Sequence, residues 1–174
     1  MISPMRPGIV LPRLDQYTGA IPTGWIWEPK LDDERAILSG GELCNRFGRP
    51  LAPHKARAFA PALRDLVALG MPLDLALLGF RGHLPLGAVV VLDIPGRAPY
   101  LDRKAPLAKL PVLPRPMDAV PGTVYRLPHS MDARALFEAT IDVPGLEGVV
   151  GRRPGAPYVE GTSRDMAKSR WKAA

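Results

Sequence analysis

Short apolar runs, separated by turns rich in glycine and proline, recur along the chain and predict a sheet-rich domain. Segments 25–29 and 35–38 are expected to pair as a hairpin, and a tight turn at 39–42 leads to the next strand. Residues 1–22 are interrupted by prolines and are expected to be irregular. The remaining strands are expected at 43–47, 73–80, 88–94, 123–127, 146–152 and 166–171.

Helical spacing is clearest after the third predicted strand, where residues 55–69 are expected to form one helix ending at Gly70. Ser130 is expected to cap a second helix that runs to about residue 140. Residues 95–122 are proline-rich and are expected to hold one short helix. Mostly antiparallel strands with two helices predict the α+β fold class. The buried face of the first helix would carry Phe59, Leu63, Leu66 and Val67.

The composition is that of a single globular domain in a reducing compartment. The chain has 174 residues, of which 47% are hydrophobic, enough to bury one core. No apolar run reaches the ~20 residues of a membrane helix, and the N-terminus lacks a signal-peptide pattern. Cys44 is the only cysteine, which excludes an internal disulfide and disfavours a structural zinc site. We therefore expect one domain over residues 1–174, in the cytoplasm and without a membrane partner.

The formal net charge of +6 changes this picture, because it fits a polyanionic partner whose phosphates basic side chains neutralise. A composition rich in arginine, proline and alanine also produces such a charge without any binding role. Charge alone leaves both interpretations open.

Segment 27–35 places Lys30 between an apolar run and a cluster of acidic and basic residues, in the order Lys-x-Asp-x-x-Arg with Asp32 and Arg35. A free lysine is protonated at neutral pH, and nearby cations or an apolar wall lower its pKa enough for nucleophilic attack. A surface lysine in a charged hairpin is the alternative for this segment taken alone.

Further polar and apolar segments follow Lys30 in a fixed order. Arg46 lies in a glycine-containing segment, and an ordinary turn with solvated arginines would have the same residues. Lys168 and Arg170 alternate with a serine, so a strand would direct both cations to one face, where they could hold a phosphate; a solvated basic tail is the alternative. The segments that carry the pattern are 45–51, 72–77, 88–94, 101–107, 146–153 and 158–170.

In this order and spacing, the segments resemble the adenylation domain of ATP-dependent DNA ligases, within the covalent nucleotidyltransferase superfamily. The resemblance implies antiparallel sheets with flanking helices and a nucleotide cleft, here without an OB-fold domain. It implies ATP and Mg²⁺ as cofactors and three steps: adenylation of a lysine, transfer of AMP to a 5′-phosphate, and attack by a 3′-hydroxyl. Partners would be nicked duplex DNA, with RNA as an alternative, and a protein or domain that supplies the OB-fold.

The same resemblance assigns roles to residues of this chain. Lys30, Lys168 and Arg170 would be catalytic, and Arg46 would bind a phosphate of the nucleic acid. Glu147 would also hold the metal. The nucleotide-binding residues would be Glu28, Asp32, Arg35, Leu92, Glu147 and Arg152.

Three departures from the family pattern bear on the chemistry of the site. Asp33 replaces a glycine, and its charge is expected to raise the pKa of Lys30 and to strain the backbone. Ala76 replaces a glutamate, and Leu92 replaces an aromatic residue that stacks on the base. Three functional hypotheses follow: a DNA ligase-like enzyme, an RNA ligase, and a ligase-like domain that binds nucleic acid or nucleotide without turnover.

Overall fold

A computed structural model describes residues 2–82 and 84–172 as two β-sheets with a few short helices. The strands are β1 Met5–Leu11, β2 Ile26–Leu31, β3 Glu34–Ser39, β4 Glu42–Asn45, β5 Leu73–Leu77, β6 Val89–Asp93, β7 Val124–Tyr125, β8 Leu146–Arg152 and β9 Gly161–Arg170. The α-helices are α1 Pro53–Arg57, α2 Ala60–Ala68, α3 Tyr100–Lys104 and α4 Ala133–Glu138, and 3₁₀ helices span Ala105–Lys109 and Pro116–Asp118.

The strands divide into a four-stranded sheet of order β1-β9-β8-β2 and a five-stranded sheet of order β4-β3-β5-β6-β7. All pairs are antiparallel except β1 with β9 and β6 with β7. The predicted α+β class with mostly antiparallel sheets is therefore confirmed.

The hairpin predicted between 25–29 and 35–38 is wrong, because β2 and β3 belong to different sheets. Strand β2 pairs with β8, whereas β3 pairs with β4 and β5. Strand β8, in which every residue is buried, lies inside the four-stranded sheet and pairs with β9 along one edge and with β2 along the other. The chain crosses between the sheets at Asp32 and Asp33, which opens a cleft beside Lys30.

The prediction that the N-terminal segment is irregular is wrong for part of it. Strand β1 runs parallel to β9 at the edge of the four-stranded sheet. Pro7 and Gly8 lie at a register shift between Pro7 and Ile9. Proline is tolerated on an edge strand or at a bulge, and a Cβ at Gly8 would collide with the Ser163 carbonyl group. Because proline and glycine are uncommon in strands, these two residues interrupt the pattern by which a strand is predicted from sequence.

The single helix predicted over 55–69 is divided into α1 and α2. Pro61 lies in the first turn of α2, where a missing amide hydrogen costs nothing, so a new helix begins there. Phe59, Leu63 and Leu66 are buried as predicted, but Val67 is 43% exposed. The buried side chains pack on β3, β5 and β6.

The helix predicted after Ser130 is capped by Asp132 instead. The Asp132 carboxylate accepts hydrogen bonds from the amides of Arg134 and Ala135, at 3.1 and 3.0 Å. The Ser130 hydroxyl instead accepts a hydrogen bond from the Asp132 amide at 2.9 Å, in the turn that precedes the helix. Phe137 of α4 then packs against the four-stranded sheet, behind the cleft. No helix in the described part of the chain is long and apolar enough to span a membrane.

Candidate active site

A cavity of about 360 Å³ lies between the two sheets, with Lys30 in its wall. Strands β2, β8 and β9 supply one side, and β3, β5 and β6 supply the other. Nine of the ten side chains that the sequence predicts as site residues line this cavity. They are Glu28, Lys30, Arg35, Arg46, Leu92, Glu147, Arg152, Lys168 and Arg170.

Three neighbouring strands bring Lys30 and Arg170 onto one rung of the sheet. Lys30 lies opposite Gly148, and Gly148 lies opposite Arg170. Opposed residues project from the same face, and glycine leaves the space between the two cations open. A Cβ at Gly148 would overlap the Ser169 carbonyl oxygen, so the close approach of β8 and β9 requires glycine here.

Glu147 connects the two cations of this rung. Its carboxylate forms an ion pair with Lys30 and lies 3.3 Å from Nη2 of Arg170. A register shift between Lys30 and Leu31 interrupts the alternation of side chains, which allows Glu147 to face the cavity as well. The side chains of Lys30 and Glu147 are 19% and 11% exposed, so water screens their interaction only partly.

The pKa of Lys30 lies below its ordinary value. Burial is the largest cause, and the positive charges of Arg170 and Lys168 lower the pKa further, while Glu147 raises it. The shift is opposite to the one expected from Asp33. A larger neutral fraction of Lys30 at a given pH makes its amine a better nucleophile.

Lys168 occupies the next rung, opposite Val150, which in turn lies opposite Glu28. The predicted alternation along β9 is confirmed, because Ser169 is fully buried while Lys168 and Arg170 line the cavity. Within residues 2–82 and 84–172, no carboxylate lies within salt-bridge distance of Lys168. Its charge is therefore available to an anion in the cavity.

Glu28 is 1% exposed and is held between two cations. Nζ of Lys104 lies 2.6 Å from one carboxylate oxygen, and Nη1 of Arg152 lies 2.7 Å from the other. Burial would raise the pKa of Glu28, but the two cations outweigh it and the pKa is lowered. Glu28 therefore stays ionised and fixes Arg152 in the cavity wall.

Arg35 is similarly engaged from the opposite sheet. Its guanidinium makes a two-pronged ion pair with Asp74, with Nε 2.8 Å from Oδ1, and donates to the Met5 carbonyl oxygen at 2.5 Å. The hydroxyl of Tyr158 donates to Asp74 at 2.7 Å, and burial raises the pKa of that hydroxyl. This network ties β1 to β3 and β5 and orients Arg35 along the cavity.

Asp32 is the predicted site residue that does not line the cavity. Its carboxylate lies 2.8 Å from Nη1 of Arg81 and 3.0 Å from Nζ of Lys172. Asp32 therefore links the crossover between the sheets to the end of β9 and to the loop after β5.

Asp33 anchors the same loop and does not occupy a strained glycine position. Its carboxylate accepts hydrogen bonds from the amides of Gly79, Arg81 and Glu34 at 2.6, 3.2 and 2.9 Å. Among the described residues, Asp142 is the one non-glycine residue with positive φ. The expected backbone strain at Asp33 is therefore absent, and its carboxylate stabilises the turn at 79–81.

Ala76 and Leu92, the two other departures from the family pattern, both line the cavity. They lie on β5 and β6, across from Lys30 and Lys168. The cavity therefore has a basic wall and, facing it, a partly apolar one.

Arg46 follows the edge strand β4 and reaches the cavity from a short turn. The Asn45 side chain accepts hydrogen bonds from the amides of Phe47 and Arg49 at 2.9 and 3.1 Å. Gly48 has a φ of 73°, which the turn requires. Arg46 is therefore carried on a well-defined turn at the cavity edge.

Glu147 was predicted to hold a metal, but it does not belong to a ready-made carboxylate cluster. No group of three or more histidine, cysteine, aspartate or glutamate residues among those described is arranged to hold a metal. Mg²⁺ is commonly held by one or two carboxylates together with substrate phosphates. Glu147 fits that more limited role.

Several charged residues that line or support the cavity were not predicted from the sequence. Asp74 and Asp93 are acidic residues inside apolar runs, a signal that a buried carboxylate has a cationic partner. Asp74 pairs with Arg35, and Asp93 pairs with Arg103 at 3.0 Å. Arg6 also lines the cavity, but it lies on the unpredicted strand β1 and no motif marks it.

Solved structures of DNA ligases share this fold. A Lig E DNA ligase has a TM-score of 0.58 and 20% identity, over 94% of this chain and 68% of that one. The Chlorella virus DNA ligase–adenylate has a TM-score of 0.60 and 16% identity, over 97% and 67%. The ligase domain of M. tuberculosis LigD has a TM-score of 0.61 and 20% identity, over 97% and 59%.

No protein-family model and no curated protein matches the sequence. At these identities the structural likeness concerns the fold. Its α+β architecture of two sheets with few helices agrees with the resemblance seen in the sequence. The chain therefore has the fold of the nucleotidyltransferase domain of DNA ligases.

Proposed function

We propose that this chain is an ATP-dependent, DNA ligase-like nucleotidyltransferase in which Lys30 is the nucleophile. The observation that carries the proposal is the rung formed by Lys30, Gly148 and Arg170, with Lys168 on the next rung. Burial, assisted by the charges of Arg170 and Lys168, lowers the pKa of Lys30. The two cations also concentrate positive charge where an α-phosphate would lie.

In the first step, Nζ of Lys30 attacks the α-phosphorus of ATP. The new N–P bond forms as the bond between the α-phosphorus and the bridging oxygen breaks, and pyrophosphate leaves with that electron pair. The attacking amine is neutral, so its nitrogen carries two protons after the N–P bond forms; it releases one of them to solvent and keeps the other as the phosphoramidate N–H. An oxygen of the 5′-phosphate of a strand end then attacks the α-phosphorus, the N–P bond breaks, and Lys30 takes up a proton from solvent. A 3′-hydroxyl finally attacks that 5′-phosphate, loses its proton as the phosphodiester bond forms, and displaces AMP.

The basic residues of the cavity have distinct proposed roles. Lys168 and Arg170 stabilise the charge on the α-phosphate as it develops. Arg152, held by Glu28, and Arg35, held by Asp74, bind the nucleotide from opposite walls. Leu92 covers one face of the base in place of an aromatic ring.

Glu147 is the proposed contact for Mg²⁺. When bound, Mg²⁺ would neutralise part of the triphosphate charge. The carboxylate itself restrains Lys30 and Arg170 before the nucleotide binds. Its release from Lys30 would free the amine to face the phosphorus.

The proposed nucleic-acid substrate is a nicked DNA duplex, with Arg46 on its 5′-phosphate. This choice rests on the DNA ligase fold and on the net charge of +6. The chain covers 59–68% of the three ligase structures compared, and we propose that a separate domain or protein supplies the OB-fold.

A second candidate is a ligase-like domain that binds nucleic acid or nucleotide without turnover. It is favoured by Ala76 and Leu92, which replace a carboxylate and an aromatic ring in the cavity wall. Such a domain would keep the phosphate-binding cations while losing the reaction.

Labelling with ATP separates the two candidates. We would incubate the protein with Mg²⁺ and ATP labelled at the α-phosphate, denature it, and measure retained label. The enzyme retains label, the Lys30→Ala variant does not, and the control variant Lys109→Ala, at an exposed lysine outside the cavity, retains it. No label on the parent protein would favour the binding domain.

A pre-adenylated nicked duplex tests the final step separately. Sealing without added ATP would show that the chain completes the last step, whether or not it reacts with ATP. Failure to seal, together with binding that weakens steeply with salt, would leave the binding domain as the supported function.

A further inference from the structure

Phe47 projects into solvent beside the cavity. It is 70% exposed, and it is the one aromatic ring among the exposed large apolar side chains of the described residues. Isolated exposed aliphatic residues are common on protein surfaces. An exposed aromatic ring leaves a large apolar area in water, so the residues around it indicate which ligand could cover it.

One arginine packs on this ring, and a second follows in the same turn. The guanidinium carbon of Arg46 lies 4.8 Å from the ring centroid of Phe47, and Arg49 follows two residues later. Neither arginine has a carboxylate within salt-bridge distance in residues 2–82 and 84–172. An exposed ring with an uncompensated cation against it is the combination that binds the bases and phosphates of nucleic-acid strands.

The turn that carries Phe47 is held rigidly. Asn45 anchors two of its amides through its side chain, its own amide donates to the Arg49 carbonyl oxygen at 2.8 Å, and its carbonyl oxygen accepts from Gly48 at 2.9 Å. Little conformational entropy is then lost when a ligand contacts the ring.

The turn also has a defined position relative to the candidate active site. Asn45 lies opposite Ala36, the neighbour of Arg35 on β3, and Arg46 lines the cavity that contains Lys30. The ring therefore lies at the edge of the cavity, on the side that Arg46 reaches from.

We propose that Phe47 stacks on the nucleobase of a polynucleotide end while Arg46 binds the adjacent phosphate. The proposal rests on the nucleic-acid substrate assigned above, but not on whether Lys30 reacts. It names a base contact beside the phosphate contact, and both are made by one turn.

The test is binding to a short duplex that carries a nick with a 5′-phosphate and 2-aminopurine as the base next to it. ATP is omitted, so binding is independent of Lys30. We expect the parent protein to quench the fluorescence on binding. Phe47→Ala should bind about tenfold or more weakly and lose the quenching, whereas Phe47→Trp should retain both.

Met131→Ala is the matched control, because Met131 is 68% exposed and lies outside the active-site cavity. It should bind and quench like the parent. Equal binding by Phe47→Ala and the parent, equal losses in both alanine variants, or binding without quenching would overturn the proposal. Label on Lys30 together with any of these results would leave the nucleotidyltransferase proposal standing.

Discussion

Lys30 and Glu147 form an ion pair between adjacent strands, and the same carboxylate lies 3.3 Å from Arg170. Glu147 therefore opposes the effect of burial on Lys30, because its negative charge stabilises the protonated amine. The ion pair therefore helps determine how much of Lys30 is protonated and how much is neutral and reactive.

Glu147→Gln should shift the pH dependence of Lys30 adenylation to lower pH. The carboxylate raises the pKa of Lys30, so its removal lets the amine lose its proton at lower pH. The maximal rate should still fall, because the proposed metal contact is lost. Initial rates of labelling measured across pH would check this, with Glu138→Gln, an exposed position, as the control. An unshifted profile would mean that the ion pair does not control the lysine.

Lys168→Met should shift the same profile in the opposite direction. The positive charge of Lys168 lowers the pKa of Lys30, so its loss raises that pKa and demands a higher pH. The maximal rate should fall about 10²–10³-fold, as for the loss of one preorganised donor. A lower rate with the profile unchanged would show that Lys168 acts on the phosphate alone.

Arg152→Met should destabilise the fold by about 3–5 kcal/mol, because it removes one partner of a buried ion pair. Arg152 is 3% exposed and lies 2.7 Å from Glu28, which would be left with Lys104. Urea unfolding measures the change. Arg115→Met, at an exposed ion pair, should unfold like the parent. Equal stability of both variants would contradict the structural role of Arg152.

Asp33→Gly introduces the residue of the family pattern and should destabilise the protein by about 1–3 kcal/mol. The amides of Gly79 and Arg81 donate hydrogen bonds to the Asp33 carboxylate, and the variant loses both bonds. Asp33→Asn keeps an acceptor oxygen and should lose less. The pH profile of adenylation should stay unchanged in both, because burial and the charges of Glu147, Arg170 and Lys168 dominate the pKa of Lys30. A profile that moves to lower pH in Asp33→Gly would restore the electrostatic effect expected from the sequence.

The part of the fold that the sequence predicts best is the pair of strands β8 and β9, whose hydrophobic and charged patterns are continuous along the chain. Strand β8 has the predicted bounds, and Lys168 and Arg170 share a face because alternation is a local property of a strand. The order of the motifs also assigned Lys30 and Glu147 to one site.

The sequence does not predict relationships that depend on distant partners. The hairpin was expected because β2 and β3 are adjacent in sequence, but β2 pairs with the fully buried strand β8 instead. Strand β1 was missed because Pro7 and Gly8 are weak strand residues that only an edge position accommodates. Similarly, Asp33 was expected to act on Lys30, and its contacts with Gly79 and Arg81 come from another loop.

Peptide mapping of the protein after reaction with Mg²⁺ and ATP tests the central proposal most directly. We predict AMP on the peptide that contains Lys30, attached through an acid-labile phosphoramidate bond and absent from Lys30→Ala. AMP on a different residue, or none on a protein that still binds ATP, would contradict the assignment of Lys30 as the nucleophile.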